Sequence, residues 1–134
     1  MNGVIAVRTL LVTDTGMTAL VPEARIAAGM LPQGTDLPAI SLMSVSSVDR
    51  NISAPGPKRR VTERVQVTVL AATYRQVKAI LAAVRRAAAD QMPTIDGLFD
   101  VTVHTDSAGP DFLDEETGIH MQTQDLRVSF NEAR

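Results

Sequence analysis

A strand that hands over to a helix with no loop between them occupies residues 61–90, and it restricts the fold more than any other stretch of the chain. Val61, Val65, Val67 and Val69 alternate with Thr62, Arg64, Gln66 and Thr68, the period of a strand with one buried face. At Thr73 the period changes. Tyr74, Val77, Leu81, Val84 and Ala88 then recur at steps of three and four, the period of an amphipathic helix. Thr73 and Gln76 fit a T-x-x-Q capping box, which marks the helix start independently of the apolar pattern. A long helix is expected over about 73–91, with Arg85 and Arg86 near its negative end and Pro93 beyond it. Such a unit packs helix on sheet. It carries no catalytic group, which points to assembly rather than chemistry.

The 134 residues are read as one domain, 1–134, large enough for a real core. Apolar residues make up 45% but aromatics only 3%, so Val, Leu, Ile, Met and Ala must build that core. So few aromatics argue against a base-stacking platform for single-stranded nucleic acid. Without cysteine there are no disulfides and no thiolate zinc sites, which suits a reducing cytoplasm. Apolar runs reach about half the ~20 residues of a membrane span. No membrane partner is expected, and no leader peptide is recognised.

The remaining elements follow from pattern. Gly3–Asp14 reads as a helix by the spacing of Val4, Val7 and Leu11, with a strand as its rival because Val and Ile favour strands. A short second turn is expected over Thr15–Val21 and a short strand over Arg25–Met30. The next strand opens at Pro38, with a bulge or strand end near Ser44, where Val45 and Val48 break the parity of Ile40 and Leu42. Residues 46–60 read as a flexible basic loop ending in Lys58-Arg59-Arg60. Phe99, Val101 and Val103 mark a strand, Ser107–Thr117 an acidic loop, and Ile119–Phe130 a last strand bulged near Gln124-Asp125. The expected class is α+β: an antiparallel sheet of about four to five strands, with the N-terminal helix and the 73–91 helix on one face.

Candidate chemistry is sparse. His104 and His120 sit at polar strand positions without a metal-ligand partner. Asp111, Asp114, Glu115 and Glu116 do not follow the calcium-loop spacing and read as a solvated or docking acidic patch. No phosphate-binding glycine loop and no nucleophile elbow occurs. Catalytic residues, metal and cofactors are therefore expected to be none. Lys58-Arg59-Arg60 is a short basic run for a nucleic-acid module, the reading from a different class.

Taken in order, Arg25-Ile26, Leu31-Pro32-Gln33-Gly34, Leu37-Pro38-Ala39-Ile40, Arg64-Val65-Gln66-Val67, Ala72-Thr73-Tyr74, Val84-Arg85, Asp111, Thr117-Gly118 and Leu126-Arg127-Val128 resemble the small tail-completion or tail-terminator proteins of long-tailed phages, prophages and gene transfer agents. The similarity runs over roughly residues 20–130. Members often carry aromatics in the last strand, a role left here to Met121 and Phe130. The resemblance implies an α+β fold and a non-enzymatic virion protein, made in the bacterial host cytoplasm. It implies a homo-oligomeric ring, usually a hexamer, at the head-proximal end of the tail tube. Such a ring would stop tube growth and offer a surface to the head connector, DNA merely passing through its lumen. A head–tail adaptor or neck protein is the alternative within that class.

Charge is segregated along the chain. Residues 58–90 hold eight cations against two carboxylates, and residues 91–134 nine carboxylates against two cations, within a net charge of -2. Ring closure uses two different surfaces per subunit. The expected contact is Lys58, Arg59 and Arg60 of one copy against Asp114, Glu115 and Glu116 of the next, with apolar groups supplying most of the stability.

Overall fold

The computed structural model describes residues 2–50 and 56–134. Helices α1 (Asn2–Thr13) and α2 (Thr15–Leu20) come first, and a 3-10 turn at Glu23–Arg25 leads into β1 (Ile26–Ala28). Then follow β2 (Ala39–Arg50), β3 (Lys58–Ala71), α3 (Tyr74–Ala88), β4 (Leu98–Ala108), β5 (Phe112–Asp114) and β6 (Ile119–Ala133). The strands form one six-stranded sheet in the order β1-β2-β3-β6-β4, with β5 set beside the start of β6.

The helical reading of the N-terminus holds: Val4, Val7 and Leu11 of α1 are all buried. Asp14 caps α2, its Oδ1 accepting from the Met17 amide at 3.0 Å. Thr73 caps α3 as expected, accepting from the Gln76 amide at 3.2 Å. The helix is shorter than the 73–91 expected. It ends at Ala88, Ala89 is extended, and Asp90 takes a φ of 57°. Gln91 then exchanges backbone hydrogen bonds with Val103, so the chain leaves the helix to cover the edge of β4.

The sheet has more strands than the four to five expected, and it is not wholly antiparallel. β1 pairs with β2 in parallel, and the acidic loop contains β5. The bulge near Ser44 is present as a register shift between Ser44 and Ser46. The bulge expected in β6 near Gln124 is not there. β6 runs in unbroken register with β3 from Ile119's neighbour His120 to Ala133, and the irregularity sits opposite, in β4 between Thr105 and Ala108. The parity break had another cause: Gln124 is a polar residue turned to the buried side.

The flexible loop expected at 46–60 is also corrected for the described residues. Ser46–Arg50 belong to β2, and Lys58–Arg60 begin β3, paired with Ala133, Glu132 and Asn131 of β6. Ser46–Arg50 pair with Arg60–Arg64 of β3, whereas Lys58 and Arg59 pair with the end of β6, some seventy residues away and beyond the reach of local pattern. Residues 51–55 of that loop lie outside the described residues.

One apolar core joins α1, α2 and α3 to a single face of the sheet. Val61, Val65, Val67, Val69 and Ala71 point into it from β3, opposite Phe130, Val128 and Leu126 of β6 and beside Ile40 and Leu42 of β2. The packing is close because the layers are aliphatic. A Cβ on Gly3 of α1 would collide with the Glu63 side chain beneath it. Glu63 is the carboxylate in this buried row of β3. The opposite face carries Thr62, Gln66, Thr68, Thr123, Arg127 and Ser129, and no described element covers it.

Candidate assembly surfaces

The ladder of β3 with β6 sets the geometry of both charged clusters. Lys58 lies opposite Ala133 at one end, and Ala71 opposite His120 at the other. Lys58-Arg59-Arg60 therefore occupies one end of the sheet. Asp114, Glu115 and Glu116, at the turn between β5 and β6, occupy the other. At 3.3 Å per residue the two ends are roughly 40 Å apart. Within one chain the structure does not bring them together.

The basic triplet is built into the sheet. Arg59 Nε lies 3.0 Å from Glu132 Oε1, and its Nη1 lies 3.4 Å from Asp49 Oδ2. Arg60 Nη1 donates to the Asp100 carbonyl at 2.8 Å. Asp100 holds a φ of 51°, in a register shift of β4. The Lys58 ammonium sits 3.7 Å from the centre of the Phe99 ring. Much of the positive charge read in the sequence is thus neutralised or shielded locally.

The acidic cluster divides similarly. Asp114 Oδ1 accepts from the Glu116 amide at 3.0 Å, and its carbonyl accepts from Gly118 at 2.7 Å. Gly118 takes a φ of 73° to close this turn, a conformation that suits glycine. Glu115 and Glu116 are exposed and form no ion pair among the described residues. Asp111 belongs to a different arrangement. Lys78 Nζ donates to its Oδ1 at 2.6 Å, and the Tyr74 hydroxyl donates to its Oδ2 at 2.9 Å. The Lys78 hydrogen bond and, next, that of Tyr74 hold the Asp111 carboxyl below the usual carboxylate range; Asp111 in turn raises Lys78. Lys78 also reaches Gln122 Oε1 at 2.6 Å.

This clip borders a cleft of ≈ 210 Å³ lined by Tyr74, Val77, Phe112, Leu113, His120 and Met121. Sequence reasoning missed the cleft. Its apolar walls come from α3, β5 and β6, and β5 was hidden in a stretch read as acidic loop. His104 is likewise engaged: its Nδ1 lies 2.8 Å from Asp90 Oδ1. Among the described residues, no three metal-ligating side chains converge.

The open face carries its own ion pairs. Arg64 and Arg127 stand directly opposite each other on β3 and β6. Carboxylates answer both: Asp125 Oδ2 lies 2.6 Å from Arg64 Nη2, and Asp106 Oδ1 lies 3.1 Å from Arg127 Nη2. Arg50 and Arg60 form a second opposed pair at the basic end. Among the described residues Arg60 has only neutral acceptors, the Asp100 carbonyl and Asn131 Oδ1, and Arg50 has no ion pair.

The fold recurs in a solved structure. A chain of the virion of a native gene transfer agent particle superposes with a TM-score of 0.73 over 93% of this chain and 91% of that one, at 18% identity. No curated protein matches the sequence. The family model described as tail completion protein gp17 matches residues 5–130, nearly the whole chain. The chain therefore belongs to the tail completion protein gp17 family.

Proposed function

We propose that this tail-associated structural protein of the virion forms a ring, most simply a hexamer, at the head-proximal end of the tail tube. The ring ends tube polymerisation and presents a docking surface to the head connector, with DNA passing through its lumen. Family membership supports the tail assignment. The observation that carries the ring is the separation of unanswered charge. Arg50 and Lys58 lie at one end of the sheet, and Glu115 and Glu116 at the other. Opposite charges that cannot meet within one subunit suit a head-to-tail contact between subunits, the kind that closes a ring. With Arg59 held by Glu132 and Asp49, the triplet offers little free charge to the phosphates of a nucleic acid.

Negative-stain imaging of the purified protein tests the reading. Rings with a central hole are expected. Added to polymerising tube subunits, they should shorten the tubes and mark one end. A protein that stays a lone particle at every concentration, and leaves tube length unchanged, overturns it.

A further inference from the structure

The two lateral edges of the sheet are not alike. The edge of β4 is closed: Gln91 and Val103 exchange backbone hydrogen bonds of 3.2 and 2.9 Å, and register shifts interrupt the strand on both sides of that point. Covering and bulging are ways to block strand addition. The edge of β2 is open. β1 pairs with only Ile40–Leu42, and Met43–Arg50 are all exposed. Neither lysine nor proline guards this stretch, and its one irregularity is the bulge between Ser44 and Ser46.

The step where β1 stops is shaped to take more strand. Ile26 and Ala28 of β1 stand opposite Ile40 and Leu42. At Gly29 the chain turns off with a φ of 86°. The Gly29 amide still donates to the Leu42 carbonyl at 2.7 Å, so Leu42 turns its backbone groups away from β3. Backbone direction alternates along a strand, so Ser44 turns its own groups the same way, and there no strand meets them among the described residues. Beside Ser44 opens a cleft of ≈ 330 Å³ lined by Val4, Ala28, Gly29, Leu42, Met43 and Ser44. It lies where a side chain opposite Ser44 would stand if β1 ran on. One turn along α1 from Val4, Arg8 donates its Nε to the Ile26 carbonyl at 2.9 Å, and it has no carboxylate partner among the described residues.

Free backbone groups, an apolar pocket and an unanswered cation thus share one slot. This chain has little to put in it. Among the described residues, the longer stretches outside helices and strands are 29–38 and 89–97. The first holds Pro32 and Pro38 and the second Pro93, and proline cannot donate to a ladder.

We propose that the open edge of β2 receives an extended segment of the tail tube subunit. The segment lies along Met43–Val48 in line with β1. It places an apolar side chain in the cleft beside Val4 and carries a carboxylate at the end nearest β1, within reach of Arg8. Backbone pairing supplies affinity, and the pocket and the cation supply specificity. The proposal rests on the tail-tube reading and names the surface that meets the tube. A subunit that accepts a strand at one edge while its other edge is closed ends a pairing series instead of relaying it, which is what termination requires.

Tube subunits of the same virion, kept below the concentration at which they polymerise, are the probe. When they are mixed with the wild-type protein, hydrogen–deuterium exchange should slow within Met43–Val48, at Ser44 above all. Ser44→Pro removes the outward amide, Ala28→Phe fills the cleft from an exposed position, and Arg8→Glu reverses the cation. Each should weaken binding of tube subunits about tenfold or more, the scale of one buried apolar side chain. The loss in Arg8→Glu should be largest in low salt. Ala28→Phe should keep the melting transition and ring mass of the wild type. Folded Ser44→Pro and Ala28→Phe variants that bind tube subunits as tightly as the wild type overturn the proposal and leave the tail-tube reading standing. Protection that falls outside the β2 edge, or appears there only with the head connector, does the same. Where a variant fails to fold, the exchange pattern of the wild type decides alone. A wild type that neither binds tube subunits nor shortens tubes overturns both.

Discussion

Lys78 and Asp111 meet at 2.6 Å across thirty-three residues of sequence, tying the first half of α3 to the segment that enters β5. Tyr74, one turn earlier, holds the other oxygen of the same carboxylate at 2.9 Å. The helix that the sequence announces so clearly thus fixes the strand that the sequence conceals. Tyr74 and Asp111 of this clip line the cleft beside β5.

The clip should respond to pH in a defined way. Asp111 is held below the usual carboxylate range, so its contribution is present above that range and is lost as pH falls through its lowered value. Lys78 is raised, so its contribution is complete below the ordinary lysine value and lost as pH rises through the raised one. The clip is therefore intact across neutral pH. Tyr74 is the chain's one tyrosine and there is no tryptophan, so intrinsic fluorescence reports on this hydroxyl directly. An acid transition in tyrosine emission is expected, and Asp111→Asn should abolish it. An identical titration in that variant would dissociate the signal from the clip.

Arg64 should be the most costly exposed side chain to remove. Its Nε and Nη2 lie 2.8 and 2.6 Å from Oδ2 of Asp125, whose side chain is almost wholly buried. Oδ1 of Asp125 has no hydrogen-bond partner among the described residues. Arg64→Ala would leave the whole carboxylate unanswered and should cost about 2 kcal/mol in urea denaturation. Arg64→Lys should recover only part of this, because an ammonium cannot present two nitrogens to one oxygen. The double variant Arg64→Ala/Asp125→Ala should be less destabilised than the first variant alone.

How much of this was legible follows from how local each signal is. The alternation of Val65, Val67 and Val69, the spacing of Tyr74 to Ala88 and the bulge at Ser44 all lie within a few residues of chain, and the structure shows them. Lys58–Arg60 read as loop because their partner is the end of β6. β5 was unreadable because three residues carry no period, and only the pairing of Phe112 with Met121 makes a strand of them. The charged clusters are visible in the sequence as residue types only. Their local partners, Glu132 for Arg59 and Phe99 for Lys58, come from strands distant in sequence.

The cap of α3 offers a finer test of sequence reading. Thr73 accepts from the Gln76 amide, the forward half of a capping box. Thr73→Ala should lower stability by about 1 kcal/mol. Gln76→Ala should cost clearly less, since among the described residues no bond returns from its side chain to Thr73. Equal losses in thermal melts of the two variants would mean that the box is closed in solution.

Core substitution should separate folding from assembly. Phe130 is 1% exposed and packs into the single core from β6. Phe130→Ala should cost about 4 kcal/mol, enough to unfold much of a marginally stable domain. Phe112→Ala removes an aromatic of the same size from a half-open position and should leave the melting transition nearly unchanged. If Phe112 matters to subunit contact, ring yield falls while the melt does not. A melt lowered equally by both substitutions would assign Phe112 to the core instead.

The basic triplet, finally, should not behave as one unit under charge reversal. Arg59→Glu breaks the contacts with Glu132 and Asp49 and sets like charges beside each other. It should lower stability in the isolated chain whether or not rings form. Lys58→Glu surrenders only a contact with the Phe99 ring, so its effect should fall on assembly. Exposed pairs contribute about 0–1 kcal/mol each and are screened over roughly 8 Å at physiological salt, so that effect should be visible in low salt and fade as salt rises. Ring mass followed by native mass spectrometry, beside thermal melts of the same samples, distinguishes the two behaviours. Reversal of all three residues with ring mass unchanged at low salt would take the basic triplet out of the contact.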